Sequence, residues 1–282
     1  MTWIEDAAEQ FAKNDVGLNL CGAGHPTHDR RTIEVTLSGP CDAVPDYPAI
    51  PQWLEQHFLL SVYDWEKYEG VPMYCSGNDS VSQAIALQGV WEGFETLLAM
   101  DILGDARIAP SVMVDLGSHV GWYSIIAASF GYEVLAVDGD RENLELLNQS
   151  SRWNGFYNLI TTSHGWIGPE TTPLSPGPRI RLLKADVEGA EDEVLRICDP
   201  LFREGLIDFA FFEVSPEFSD HYPATVQSVL DHGYDAYLIP DKGTPIEEFS
   251  SDPLGYTLST AKLTKADISD MTVQKNVVFV KS

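Results

Sequence analysis

SVMVDLGSHVGWYSIIAASFGYEVLAVD, residues Ser111 to Asp138, is the stretch whose reading decides how this chain folds. Val112, Val114 and Leu116 flank Asp115 in a run too apolar to alternate cleanly, as a parallel strand buried on both faces requires. Gly117 and Gly121 end that run. Glycines at such a turn permit positive φ and let a ligand lie against the main chain without meeting a Cβ. A helix is predicted from about Gly121, with its amide end toward the opening. Glu133 to Val137 reads as a second strand ending at Asp138, where a carboxylate in an open α/β sheet accepts hydrogen bonds from ribose hydroxyls. The stretch predicts a nucleoside pocket.

Spacing narrows the nucleoside. A dinucleotide fold uses G-x-G-x-x-G to seat a pyrophosphate on the helix end, whereas this turn reads D-L-G-S-H-V-G, with an acid before its first glycine. Asp115 would repel a pyrophosphate and attract the amino group and sulfonium of S-adenosylmethionine. The pattern therefore favours methyl transfer over a nicotinamide-dependent oxidoreductase. A catalytically silent module on the same fold stays open as an alternative.

The chain has 282 residues, enough to bury a large α/β core without disulfides or metals. It carries 43 acids against 17 basic residues, a formal charge of −26 spread along the chain. Nucleic-acid binding rests on Lys and Arg neutralising phosphates, so no nucleic-acid partner is expected. The four cysteines, Cys21, Cys41, Cys75 and Cys198, form no C-x-x-C and read as reduced thiols. Cys21, His25, His28 and Cys41 match no zinc spacing. No apolar run approaches the roughly 20 residues of a membrane span, and Glu5, Asp6 and Glu9 are wrong for a secretory leader. A cytoplasmic protein without a membrane partner is the expectation; oligomeric state is not legible.

Residues 1–88 read as an amino-terminal, partly β extension and 89–282 as the main domain. In the extension, Thr2 to Lys13 is a predicted amphipathic helix and Thr32 to Leu37 a strand. Pro40 to Pro51 is a proline-rich connection. Phe58 to Trp65, Pro72 to Ser76 and Ser80 to Leu87 are predicted short strands. Helix Glu92 to Leu103 leads into the first core strand. Strands then alternate with helices: Glu133 to Asp138, Leu159 to Ser163, Ile180 to Asp186, Ile207 to Val214, Asp235 to Ile239 and Asn276 to Val280, with helices over Arg141 to Trp153, Ala190 to Ile197 and Ala224 to Asp231. The fold class is α/β, a doubly wound, mostly parallel seven-stranded sheet whose ligands lie beyond the carboxyl ends of the strands.

Further charges fall at that edge. In RLLKADVE, residues 181–188, strand alternation puts Lys184 and Asp186 on one face, and the next strand ends in Glu213. A hydroxyl attacking a methyl sulfonium needs alignment and a group to take its proton. Asp186 is the first candidate base, Lys184 the residue that holds and tunes it, and Glu213 a second carboxylate in reserve with Glu188 and His164. A divalent cation held by Asp186 with Glu188 or Glu213 is compatible with this set and is not assumed. Cofactor contacts are expected from Asp115, Gly117, Ser118, His119, Gly121, Asp138, Gly139, His164 and Trp166. Trp166 is the candidate to stack on adenine, and His119 to orient the methionine end or act as a base.

On VDLGSHVGWYS (114–124), Asp138 with Asn143 behind it, LLKADVEGAEDEVL (182–195), FFEV (211–214) and the closing NVVFV, the chain resembles the FkbM-type methyltransferases. Gly89-Val-Trp-Glu92 is similar to the segment that this family carries ahead of its first core strand. The Lys184 to Glu191 block is the most distinctive match. The resemblance implies a Rossmann-like class I fold, S-adenosylmethionine as cofactor and O-methylation of a small-molecule or glycan hydroxyl. Two departures stand out: His119 where the family favours asparagine, and Asp138-Gly139 where it favours Glu-Pro.

Overall fold

The computed structural model describes residues 2–13, 32–36, 72–76, 79–88, 90–214, 222–240, 246–260, 262–264, 267–268, 270–271 and 273–282. Helix α1 (Trp3–Lys13) is followed by a two-stranded antiparallel ladder, β1 (Thr32–Thr36) with β2 (Pro72–Ser76), and by helices α2 (Ser80–Gln88) and α3 (Gly93–Leu103). Next come β3 (Val112–Leu116), α4 (Trp122–Ser129), β4 (Glu133–Asp138), α5 (Arg141–Trp153), β5 (Ile160–His164), β6 (Ile180–Ala185), α6 (Glu191–Arg203) and β7 (Ile207–Val214). The chain closes with α7 (Tyr222–Asp231), β8 (Tyr234–Leu238), the short helices α8 (Ile246–Ser251) and α9 (Pro253–Thr260), and β9 (Lys275–Lys281).

The seven-stranded sheet has the order β5-β4-β3-β6-β7-β9-β8. Its first five strands are mutually parallel, and β9 runs antiparallel between β7 and β8. This is the doubly wound, Rossmann-like sheet expected from the sequence. The order reverses between β3 and β6, and such a switch point opens a crevice at the carboxyl ends of the strands.

Side-chain alternation sorts the core into two layers. Val112, Val114, Leu116, Leu183 and Ala185 pack under α1, α6 and α7. Met113 and Leu182 pack with α3, α4 and α5 on the other face. The register sets Asp115 beside Lys184 and Lys184 beside Phe211, so Asp115, Lys184 and Glu213 all belong to the α3/α4 face. Helix α1 covers β5, with Ile4, Ala7 and Phe11 buried and the Ser163 hydroxyl donating to Ala8 O at 2.6 Å.

Three local expectations change. Ser80 to Leu87 is a helix and not a strand: Asp79 Oδ1 caps it by accepting from Ser82 N at 2.7 Å, and Ser82 and Ile85 are buried at a spacing of three. Helix α6 runs past Ile197 to Arg203 through Pro200, because Leu201 and Phe202 are buried in its last turn and outweigh the proline. Helices α8 and α9 were not anticipated. The readings at Pro40 to Pro51 and Phe58 to Trp65, and those of Cys21, His25, His28 and Cys41, lie outside the described residues. Among the described residues no helix is long and apolar enough to cross a membrane.

At the amino ends of β6 and β7, Arg181 is 6% exposed and reaches Asp208 at 3.2 Å, Ile102 O at 3.1 Å and the Phe209 ring at 4.9 Å. Arg179, largely solvent-exposed, also donates to Asp208 at 2.6 Å. Removing one partner of a buried pair leaves an uncompensated charge. Asp208→Ala is therefore expected to cost about 3–5 kcal/mol in urea denaturation, and Arg179→Ala less than about 1 kcal/mol.

Candidate active site

The turn after β3 is built by close approach. Gly117 has φ 78°, and a Cβ there would lie 1.7 Å from Asp186 O. Gly121 has φ 87°, and its missing Cβ makes room for Leu147 on α5. The turn's amides are used internally: Gly117 N and Ser118 N donate to Val137 O, Gly121 N to Ser118 O, and His119 N to Asp138 Oδ2 at 2.7 Å. The loop therefore differs from a phosphate cradle, whose amides face the ligand.

A cavity of about 490 Å³ opens above this turn. Its described lining includes Asp115, Gly117, Ser118, His119, Asp138, Gly139, Trp166, Lys184, Asp186 and Glu213 of the residues singled out from sequence. Gly121 and His164 stand outside it. The His164 ring is engaged with Gly139 O at 3.1 Å and Arg141 at 3.4 Å, so it braces the wall beside Trp166. A Cβ on Gly139 would lie 2.7 Å from the Trp166 ring, which rests flat enough on the main chain to exclude any side chain there. Asp138 Oδ1 accepts from Asp140 N at 2.8 Å and Asn143 Nδ2 at 3.3 Å, which fixes the carboxylate at the mouth of the cavity. Counting His119 N, three of its roughly four acceptor positions are used.

Lys184 is the centre of the other end. The residue is 4% exposed, and its ammonium is 3.2 Å from Asp186 Oδ2, 3.6 Å from Glu92 Oε2 and 5.3 Å from the Tyr123 ring centroid. Burial opposes the charge, yet Glu92, Asp186 and Asp115 together hold this lysine above its ordinary range. Asp115 is 1% exposed and pushed up to about 6 by burial, against the Ser124 hydroxyl that donates to it at 2.6 Å. Glu213 is pushed up to about 8 by burial and then by Asp186, and it accepts a hydrogen bond from Gln274. Behind the cavity, Glu95 is pushed up to about 7 by burial and then by Glu92, while Asn276 Nδ2 donates to it at 2.5 Å.

Backbone strain concentrates here as well. Among the described residues three non-glycine positions have positive φ, namely Glu92 (46°), His119 (50°) and Glu188 (52°), and all three line this cavity. Such residues cost about 1–3 kcal/mol and collect at functional sites. Glu92 occupies the N-cap position of α3 without capping it; its carboxylate accepts from Tyr123 OH at 2.7 Å instead. Two buried polar atoms in the wall, Ser118 Oγ and His119 Nδ1, have no hydrogen-bond partner. His119 Nε2 is 3.5 Å from Asp79 Oδ1, which ties the glycine turn to the start of α2. Sequence reasoning gave Tyr123, Gln274 and Asp79 no role, and Glu92 only a place in a motif. Among the described residues no group of three His, Cys, Asp or Glu side chains is disposed to hold a metal ion.

No family model and no curated protein matches the chain. Among solved structures, a precorrin-6y C5,15-methyltransferase from Geobacter metallireducens is 15% identical over 65% of this chain and 87% of that one, with a TM-score of 0.40. A ribosomal protein L11 methylase from Lactobacillus delbrueckii subsp. bulgaricus is 17% identical over 66% and 78%, with a TM-score of 0.39. A human methyltransferase 10 domain containing protein is 12% identical over 65% and 78%, with a TM-score of 0.41. At these identities and TM-scores the likenesses carry no argument about this chain's activity, substrate or cofactor.

Two outcomes follow from this geometry. Gly117→Ala, which must displace the Asp186 main chain, is expected to abolish ligand binding in the cavity, whereas Gly155→Ala, at φ 75° with nothing near its Cβ, costs about 1–2 kcal/mol in denaturant. Glu95, Glu213 and Asp115 all hold protons in the folded chain at pH values where the unfolded chain has released them. Their stabilisation is complete below about pH 4 and is lost as pH rises through about 6, 7 and 8. Stability measured by urea titration should therefore fall between pH 5 and pH 8.5, and fall less steeply in Glu95→Gln.

Proposed function

We propose that this chain is an S-adenosylmethionine-dependent methyltransferase of the FkbM type that O-methylates a hydroxyl of a sugar or other small metabolite. One observation carries the reading: Asp138 at the end of β4 shares a cavity with a glycine turn whose amides are already spent and with an acid-rich set at the ends of β3, β6 and β7. A carboxylate at that strand end suits a ribose, and a turn short of free amides does not suit a pyrophosphate. The residues fit the cofactor in two further respects: Ser118 Oγ and His119 Nδ1 need partners, and the excess of acids suits a cation. When bound, the cofactor supplies an electrophilic methyl on sulfur.

The chain's own residues then divide the work. Asp138 accepts a ribose hydroxyl at its remaining acceptor position, Trp166 walls the adenine side, and Asp115 holds the polarity of the methionine end through its hydrogen bond with Ser124. Asp186 takes the acceptor hydroxyl proton, held in place by Lys184, and Glu213 receives it or shares it across the cavity. General base catalysis of this kind contributes about 10²–10⁴ in rate. The acidic surface argues for an acceptor that is not a nucleic acid. Buried free thiols at Cys75 and Cys198 suit a cytoplasmic setting.

Calorimetric titration with S-adenosylmethionine, its demethylated product and NAD tests the cofactor. Binding of the first two without NAD is expected, with Asp138→Asn weakening it by about tenfold or more; binding of NAD alone would sink the reading. Asp186→Asn should bind cofactor within about threefold of the parent yet lose about 10²–10⁴ of labelled-methyl transfer to hydroxyl acceptors. Unchanged transfer removes Asp186 as the base.

A further inference from the structure

Resting on the reading of the cavity as an S-adenosylmethionine site, we propose that the carboxylates around Lys184 make the site select its cofactor by charge. They bind the sulfonium cation more tightly than the neutral thioether left after transfer, so that, once the carboxylate has released the proton it took, the spent cofactor is disfavoured by the loss of its own charge. Methyl transfer breaks the carbon–sulfur bond, leaves the electron pair on sulfur and forms a carbon–oxygen bond, while the hydroxyl proton passes to a carboxylate. Sulfur thus enters positive and leaves neutral.

The charge count in the wall is lopsided. Glu92, Asp115, Asp186, Glu188 and Glu213 line the Lys184 end of the cavity, and Lys184 is the one Lys or Arg in its described lining. That ammonium is already committed to Glu92 and Asp186. Asp115 also feels Asp138 from the opposite end, so the negative potential extends along the cavity. Walls of low dielectric focus such a field, and the distant surface charges that make up the rest of the −26 are screened beyond about 8–10 Å. The local set decides.

Glu213 reports the strain of this arrangement. It is faced by Asp186 and Lys184 from β6, by Glu92 at the start of α3, by Glu188 from the turn after β6 and by Gln274 ahead of β9. Burial and the acids Asp186, Glu92 and Glu188 push it up to about 8 while Lys184 pulls it down, so Glu213 carries its charge only at high pH unless a cation offsets it. A bound cation supplies that offset. A neutral ligand of the same shape does not.

Calorimetry on the full chain tests this with three probes: S-adenosylmethionine, its neutral demethylated product, and sinefungin, which carries an ammonium in place of the methylsulfonium. At pH 8.5 both cations are expected to bind about tenfold or more tighter than the neutral product, with the gap narrowing at pH 6, where Glu213 is protonated. Glu213→Gln should close the gap between the cations and the neutral product about threefold or more at pH 8.5. Glu188→Gln, at an exposed position, should narrow it less and in the same direction. Equal or tighter binding of the neutral product at pH 8.5 overturns the charge selection and leaves the cofactor site standing. Failure of all three probes to bind overturns the cofactor reading itself.

Discussion

The contact between the main chains of Gly117 and Asp186 organises everything at the working edge of this molecule. Asp186 N donates to Leu116 O at 3.0 Å, and its own carbonyl occupies the space where a Cβ on Gly117 would stand. The loops leaving β3 and β6 are therefore pressed together at the point where the strand order reverses. Because Asp115 pairs with Lys184 in the sheet register, this contact brings the two to one level, with Asp186 two residues further on at the same face. Glu213 and Glu92 then close the ring from β7 and α3.

Two buried ionic clusters sit at opposite ends of the sheet, and their contrast separates structure from chemistry. At the amino ends, Arg179 and Arg181 meet Asp208, with Asp105 at 3.8 Å from Arg181 and Ile102 O accepting from its guanidinium. Positive and negative charge balance there, and the cluster fastens α3 to β6 and β7. At the carboxyl ends a single ammonium faces a ring of carboxylates, three of which, Asp115, Glu95 behind it and Glu213, are pushed toward their protonated forms. An arrangement that raises the energy of its own ionised groups contributes nothing to folding, and such costs persist where a ligand offsets them.

Several core strands were legible because a strand buried on both faces is a short run rich in apolar residues, and Val112–Leu116, Glu133–Asp138 and Ile207–Val214 are such runs. Charged residues standing at the carboxyl ends of the strands could be placed at one edge from the alternation rule, which is why Asp138, Lys184, Asp186 and Glu213 were found. Glu92 and Tyr123 were not given their places, since their meeting depends on α3 and α4 crossing the same sheet face and on a left-handed backbone at Glu92. Ser80 to Leu87 misled because small residues alternate with apolar ones there, and the deciding signal was the cap at Asp79. His164 followed the right strand but turned to brace Gly139, a choice that no spacing reveals.

Helix α1 has a consequence for the order in which the chain can assemble. Its partner surface lies on β5 and the loop beyond, where Ser163 meets Ala8 across 155 positions and the Phe11 main chain closes over Gly165. During synthesis at about 5–20 residues per second, the apolar stripe of Ile4, Ala7 and Phe11 leaves the ribosome roughly 8–30 s before its docking strand exists. Helix α1 therefore cannot be seated until β5 has been made. Its docking over the strand that leads into Trp166 ties one wall of the pocket to a segment about 155 residues away in the chain.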